Sequence, residues 1–507
     1  MTIAWTIAGS DSCAGAGVQA DLKTMHGLAV YCCTVITAIT AQSTRGVFGI
    51  QETSPAMLEA QIKTLYSDLK PSAVKIGMIY SASAVAVLSE MCAQFAIPIV
   101  YDPVMSATTG DGLMEHSAVD AIRTRLLPLS ALITPNWYEA HALLGRPVAD
   151  LSDMNQEELD TLIESLALDL LKLGPKSVLI KGGHTGTEFA QDYWTDGNSK
   201  AWFTSLRQTT TNTHGTGCTL SAAITASLAK KMSMVESIVI GKAYVNQGLR
   251  LSPDLVSNNG PLAHLNHEFK ESDLPWLTED AKSGRNRTKF ERDSTIGFYP
   301  IVPTAEWVER LAKSGVTTIQ LRIKNLDGEQ LENEVAKAIA IAEAYRCNLY
   351  VNDFWNLAIK HRAYGVHLGQ EDLVTADLNT ICNAGLRLGV STHCYSEVAR
   401  ALAVQPSYIA IGPIYPTLSK RMPWAPQGLI GMARWRIQLD YPLVAIGGIT
   451  FDNAPAVKSA GANGIATISD VIDDANPVAR CQQWLSLWPN RKYSIQDVDD
   501  ALEALTT

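Results

Sequence analysis

The sequence predicts an α/β chain of two domains, a three-layer αβα domain around an open sheet followed by a (β/α)8 barrel. Three observations carry this. Short apolar runs alternate with amphipathic stretches along most of the 507 residues, too many for one core. In the second half eight such runs recur within about 195 residues, the count of a closed barrel. Between the halves, "EFKESDLPWLTEDAKSGRNRTKFERDS" is charge-rich and carries few β-branched residues, which reads as a linker. The expected division is therefore 1–267, a linker over 268–294, and 295–507.

Composition narrows the function. The chain is 47% hydrophobic and 18% charged, with a net charge of −10 that leaves no general basic surface for nucleic acid. "MTIAWTIAGSDS" has no basic leader and reads as a strand; with no run of 18 apolar residues, no membrane span is expected. Nine cysteines form no CxxC pair, and their odd number argues against a disulfide framework. The expectation is a cytoplasmic enzyme acting on small molecules.

In the first half "VKIGMI", "IPIVYDPV", "ALITPN" and "SVLIKGG" are the strands, each followed by Gly, Pro, Asp or Asn. That places an active site at the carboxyl ends of a parallel sheet. In the second half the strands are "IGFYPIV", "TTIQLRI", "NLYVN", "YGVHLG", "RLGVST", "YIAIGPI", "PLVAIGG" and "NGIATIS". Polar residues fall where they end, at Lys324, Asn352–Asp353, Gln370, Ser391–His393, Thr417 and Gly447–Gly448, which is the active face of such a barrel.

"HGTGCTLSAAI" (214–224) opens a helix of small residues with Gly215, Thr216 and Gly217. Their N–H groups and the helix N-terminus suit a transferring phosphoryl group. Asp102 in "YDPVM", with Asn136 and Glu139 in "TPNWYEA", lies where Mg²⁺ can be held through waters and nucleotide phosphates. Lys181 in "KGGH" can meet phosphate charge. Asp21 in "GSDSCAGAGVQADLKT", taken alone, is a carboxylate stabilised by a helix N-terminus.

These motifs, with "TAITAQSTRGV" and "KIGM", stand in one order, and residues 1–266 resemble the hydroxymethylpyrimidine (phosphomethylpyrimidine) kinases of the ribokinase-like superfamily. The resemblance implies ATP as co-substrate, Mg²⁺, and a pyrimidine ring meeting Asp21, Gln42 and Met78. "SCAGAG" departs from the family's more usual Ser-Gly-Gly, with Ala14 restricting the backbone. Cys218 stands where many small-molecule kinases have a basic aspartate. Phosphoryl transfer runs through a loose transition state, so a thiol of reference pKa about 8.5, lowered by a helix N-terminus, serves as a late base. Packing of the helix start is the plainer alternative.

In the barrel, Gln320, Arg322 and Lys324 alternate along "IQLRIK" and point to one side. Asp353 and Asp372 follow neighbouring strands and can share one Mg²⁺ with a diphosphate. Residues 296–485 resemble thiamine phosphate synthase, "RMPWAPQGL" matching that family's mobile loop. By resemblance, hydroxymethylpyrimidine diphosphate meets Gln320, Arg322, Lys324, Asn352, Ser391 and Lys420, while Asp353 and Asp372 hold Mg²⁺. The thiazole phosphate meets Thr417, Ser419, Gly448, Ile468 and Ser469, Ser419 replacing a more usual Thr. Relatives of both halves self-associate, so a homodimer is expected. Two rivals stay open: a pyridoxal kinase in the first half, and a non-catalytic thiamine-phosphate sensor in the barrel. Retention of both Asp353 and Asp372 speaks against the sensor.

Overall fold

The computed structural model describes residues 1–106, 112–148, 154–183, 188–253, 255–256, 259–266, 268–417 and 424–488. The chain divides into two compact units, Met1–Asn286 and Arg287–Thr507.

The first unit is built on ten strands: β1 (Ile3–Asp11), β2 (Tyr31–Ser43), β3 (Gly46–Glu52), β4 (Val74–Ile76), β5 (Ile99–Tyr101), β6 (Leu132–Ile133), β7 (Val178–Ile180), β8 (Phe189–Thr195), β9 (Lys200–Leu206) and β10 (Trp276–Thr278). Their order is β10-β9-β8-β7-β6-β5-β4-β1-β2-β3. The six strands from β2 to β7 in that sheet run parallel. Antiparallel β3 lies at one end, and antiparallel β8, β9 and β10 at the other. Strands β4, β5 and β7 are three residues each and wholly buried, as parallel strands covered on both faces must be, although β4 carries Lys75 at its centre. On one side Trp5, Ile7, Val74 and Tyr101 pack with Leu58, Ile62, Val85, Leu88 and Ile163 from helices. Helices Gly17–Gly27, Thr216–Ala229 and Met234–Arg250 pack against one another as a second layer.

The stretch expected as a linker, 268–294, is instead built into both units. Before the boundary, Trp276–Thr278 adds a strand to the sheet against β9. Asp273, fully buried, takes a two-point ion pair from Arg250, and Arg285 pairs with Asp160 at 2.6 Å. After the boundary, the Asp293 carboxylate accepts the hydroxyls of Tyr350 (2.8 Å) and Tyr364 (3.2 Å), and its backbone N–H reaches the Ser407 carbonyl. Asp273, Arg285 and Asp293 are thus spent on internal partners, while Glu268, Lys270, Glu279, Lys282 and Glu291 stay exposed.

The second unit is a closed barrel of eight parallel strands: β11 (Gly297–Val302), β12 (Thr318–Leu321), β13 (Asn348–Asn352), β14 (Gly365–Leu368), β15 (Arg387–Thr392), β16 (Tyr408–Ile411), β17 (Leu443–Ile446) and β18 (Gly464–Thr467). Closure is made by β18 against β11, from Gly297–Gly464 to Pro300–Thr467. Tyr299, Tyr350 and Tyr408 fill the interior with Ile301, Ala410, Val444 and Ala466. Gly389 is required here, because a Cβ would stand 2.1 Å from the Tyr408 ring. Strand β12 ends at Leu321, so Arg322 and Lys324 lie just beyond it rather than along it.

Candidate functional site

A cavity of about 840 Å³ opens at the carboxyl ends of the first unit's parallel strands. Gln42, Met78, Asp102, Asn136, Lys181 and Cys218 line it. The Asp102 carboxylate takes the Lys181 ammonium at 2.8 Å, the Thr134 hydroxyl at 3.1 Å and the Ser221 hydroxyl at 3.3 Å. Burial alone would raise this carboxyl, but the Lys181 and Lys75 ammoniums hold it below the ordinary range. Asn136 and Glu139 form the reciprocal cap of the next helix: the Asn136 side chain accepts the Glu139 N–H, and the Glu139 carboxylate accepts the Asn136 N–H. Glu139 lies 3.5 Å from Lys181, and burial pushes its carboxyl up to about 7 against that ammonium's pull.

Helix Thr216–Ala229 begins after Gly215, whose φ of +86° and lack of a Cβ let its backbone close on the Gly15 carbonyl. The Thr216 N–H is engaged by the Thr213 carbonyl at 3.3 Å. The orphan amides of the first turn that follow, Gly217 and Cys218, are those left for an anion.

Two expectations change. Asp21 does not line the cavity. It is fully buried, taking the Lys75 ammonium at 2.7 Å and the Thr6 hydroxyl at 2.5 Å, with its second oxygen unpartnered. Its neighbour is thus the lysine rather than a substrate ring. Cys218 also departs from expectation: burial pushes its thiol up to about 11, more than Lys75 pulls it down. The helix N-terminus does not win, because the desolvation that strengthens its field penalises the thiolate more.

Sequence reading missed several residues. Lys75, with no exposed side chain, lies between Asp21, Cys218 and Asp102 and stays protonated through the two carboxylates, Asp21 above all, although burial opposes its charge. A lysine inside the apolar run "VKIGMI" was the available signal, since lysine is seldom buried without a purpose. Asp11 accepts the N–H groups of Cys13, Gly15 and Ala16 and meets His214 Nε2 at 3.1 Å. Burial opposes the shift, yet the His214 bond and these amides hold its carboxyl at about 2. Lys242, paired with Asp192 at 2.6 Å, also reaches the cavity. No local pattern marked it.

At the barrel rim, Gln320 is buried and donates to Tyr299 Oη at 3.2 Å. Tyr299 and Tyr408 share a hydrogen bond of 2.8 Å, Tyr408 meets His367 Nδ1 at 2.7 Å, and His367 Nε2 meets Ser391 Oγ at 2.8 Å. One buried chain therefore joins Gln320 to Ser391. Burial, with Arg322 nearby, drives the His367 imidazole down to about 3, so it is neutral. Asn352 is buried at the end of β13, and Asp353 follows it with φ +66°, a conformation that non-glycine residues hold at a cost. Asp372 lies in the first turn after β14, its Oδ2 closely facing Gly369. Gly447 and Gly448 have φ of +98° and +66° and close on the 413–416 segment, which leads to Thr417. Ile468 and the exposed Ser469 begin the short helix after β18. Ser419 and Lys420 lie outside the described residues, as do 421–423 of the expected mobile loop.

A mainly parallel αβα sheet whose strand ends gather Lys75, Lys181 and a helix N-terminus around one cavity defines a small-molecule phosphotransferase; joined to it is a (β/α)8 enzyme unit. Residues 11–263 match the family described as phosphomethylpyrimidine kinase, and residues 298–471 that described as thiamine monophosphate synthase. A probable thiamine biosynthetic bifunctional enzyme, chloroplastic, of Oryza sativa subsp. japonica is 33% identical over 494 residues, covering 96% of this chain and 88% of its own. A thiamine-phosphate synthase of Serratia proteamaculans is 54% identical over 193 residues, 38% of this chain and 91% of its own. A solved phosphomethylpyrimidine kinase of Clostridium difficile 630 is 35% identical, covering 48% of this chain and 98% of that one, with a TM-score of 0.42. The chain belongs to the bifunctional thiamine biosynthetic enzymes, with a phosphomethylpyrimidine kinase domain followed by a thiamine-phosphate synthase domain. No helix among the described residues is long and apolar enough to cross a membrane.

Proposed function

We propose that the first unit phosphorylates hydroxymethylpyrimidine and then its phosphate from ATP, and that the barrel couples the diphosphate to thiazole phosphate. The convergence of Lys75, Lys181 and the Gly217–Cys218 amides on the cavity walled by Gln42 and Met78 carries this reading. Gln42 offers an amide to an aminopyrimidine edge, and Met78 lies where a ring face can rest. The two ammoniums and the amides stabilise charge on the phosphoryl group in flight, the largest contribution expected in such a site. Cys218 takes the hydroxyl proton late, through its thiolate form. Asp21 is a positioning residue that keeps Lys75 charged and fixed.

Oxygen donors suit Mg²⁺ in both units. In the first, Asp102 is committed to Lys181, so Asn136 and Glu139, facing the same cavity, would hold the ion with it through waters. In the barrel, Asp353 and Asp372 follow adjacent strands and would hold it directly. When bound, Mg²⁺ supplies positive charge to phosphate oxygens. Around the barrel site, Arg322, Lys324 and Lys420 neutralise the departing pyrophosphate, and Gln320, Asn352 and Ser391 orient the pyrimidine. Thr417, Ser419, Gly448, Ile468 and Ser469 take the thiazole phosphate.

The free thiols of all nine cysteines favour a reducing, cytoplasmic setting. Exposed Ile39 and Phe48 on the β2–β3 pair offer apolar surface for a homodimer, which sedimentation would detect. The decisive experiment supplies hydroxymethylpyrimidine, ATP, Mg²⁺ and thiazole phosphate and looks for thiamine phosphate. ATP turnover with pyridoxal in place of hydroxymethylpyrimidine tests the rival substrate. Asp353→Asn should abolish coupling while the kinase persists; normal thiamine phosphate output would remove Asp353 from the metal site.

A further inference from the structure

We propose that Asp11, Cys13 and His214 bind one thiophilic divalent cation, with Zn²⁺ the best fit, at the edge of the kinase cavity. Three different ligand atoms already form a triangle: His214 Nε2 to Asp11 Oδ2 3.1 Å, Cys13 Sγ to Asp11 Oδ2 3.4 Å, and Cys13 Sγ to His214 Nε2 3.6 Å. Tetrahedral Zn²⁺ with Zn–S about 2.3 Å, Zn–N about 2.0 Å and Zn–O about 2.1 Å requires ligand separations of about 3.4–3.6 Å. The preformed triangle therefore needs shifts of only about 0.3 Å, within what side chains give. Sulfur, imidazole and one carboxylate select zinc over Mg²⁺, whose preference is for oxygen.

The surroundings agree. Asp11 and His214 are 3% and 7% exposed as side chains, and both line the cavity, which leaves a fourth position for water or substrate. The Gly15 and Ala16 amides, at 3.0 and 2.8 Å, fix the Asp11 carboxylate from behind as an outer shell does. Ala14, with φ +59°, turns the chain so that Cys13 comes back over Asp11. Binding replaces the thiol hydrogen of Cys13, which leaves to solvent, while His214 coordinates as neutral imidazole through Nε2 with its one ring hydrogen on Nδ1. Two negative ligands, carboxylate and thiolate, then balance the dication, so no net charge is buried. Cys13 belongs to the "SCAGAG" stretch that departs from the resemblance noted above, which ties the site to this chain.

The ion would clamp the glycine-rich turn 11–17 to the segment that leads into Gly215 and stop the turn from adjusting around substrate. Zn²⁺ therefore inhibits the kinase and spares the barrel; this consequence rests on the kinase reading, whereas binding itself does not. The test titrates the full chain with Co²⁺ under reducing conditions and then displaces it with Zn²⁺. One equivalent with a thiolate-to-cobalt charge-transfer band is expected in the native protein, and no band in Cys13→Ser or Cys13→Ala. Both variants should keep metal-free kinase turnover and need at least about tenfold more Zn²⁺ for half-inhibition. The absence of a band in the native protein, or its persistence in both variants, overturns the site. Should the kinase assay fail altogether, the cobalt spectrum still decides binding.

Discussion

The position of Cys218 makes a quantitative demand on the kinase. With its thiol pushed up to about 11, four units separate it from neutral pH. The thiolate fraction at pH 7 is then about 10⁻⁴, and reaching that form costs about 5.4 kcal/mol at 1.36 kcal/mol per unit. If the thiolate takes the hydroxyl proton, the rate follows its population, rising about tenfold per pH unit between about pH 8 and pH 10. Glu139, at about 7, has finished titrating before that window and cannot imitate the slope. The assay is single-turnover phosphoryl transfer with saturating ATP, Mg²⁺ and hydroxymethylpyrimidine, so that product release does not hide the chemistry. Cys218→Ala should lose about 10²–10⁴-fold at pH 9 and show a flat profile. A flat profile in the native enzyme, or the same slope in Cys218→Ala, would refute the base role and leave the thiol as packing for the helix start.

Three further outcomes follow from the same structure. Asp21→Asn strands the buried Lys75 charge and should cost the first unit about 3–5 kcal/mol, read by urea unfolding, with Lys75→Met in the same chain recovering most of it. His367 is held neutral at about 3, while an unfolded histidine protonates near 6.5, so acid favours the unfolded barrel and stability falls as pH drops from 6.5 towards 3. By pH 5 the loss is about 2 kcal/mol, and His367→Gln should remove that dependence. Cutting the chain between Asn286 and Arg287 should yield two folded, active pieces, whereas a barrel beginning at Thr295 lacks Asp293 and should be markedly less stable in thermal unfolding.

Much of the architecture could be read from residues because buried parallel strands are short, apolar and punctuated. All eight barrel strands fall within the runs that pattern reading marks, and "RLGVST" coincides with β15 from end to end. The antiparallel β8–β10 additions were not legible. Their residues, such as Gln191 and Asp192, are polar yet buried through partners distant in sequence, Ala281 for one and Lys242 for the other. Segment 268–294 failed for the same reason: Arg250 and Asp160, which pair with its charges, and the barrel tyrosines that donate to Asp293 are invisible locally. In the site, residues on motifs were found, including Asp102 and Lys181. What could not be read was depth. Asp21 and Gln42 stand in equally polar contexts, but one lies under the cavity and the other on its wall.

The buried chain from Gln320 to Ser391 has a polarity. Gln320 meets Tyr299 through its amide nitrogen, which only donates, so the hydrogen of Tyr299 must go onward to Tyr408. Tyr408 in turn gives its own to His367 Nδ1, which fixes the imidazole with its hydrogen on Nε2, facing Ser391 Oγ. Ser391 thus receives from inside and keeps one hydrogen to give outward, while the carbonyl oxygen of Gln320 remains able to receive. Reversing any link would leave a buried hydroxyl hydrogen without an acceptor, at about 1–3 kcal/mol. Four protein links therefore write a donor at one end of the rim and an acceptor at the other. A ligand edge carrying an amino group beside a ring nitrogen would match that order; a carbonyl beside N–H would set lone pair against lone pair at the Gln320 oxygen. On the pyrimidine roles proposed for Gln320 and Ser391, discrimination between an aminopyrimidine and its deaminated oxo counterpart would be set from the barrel interior, two tyrosines deep, rather than by the residues at its mouth alone.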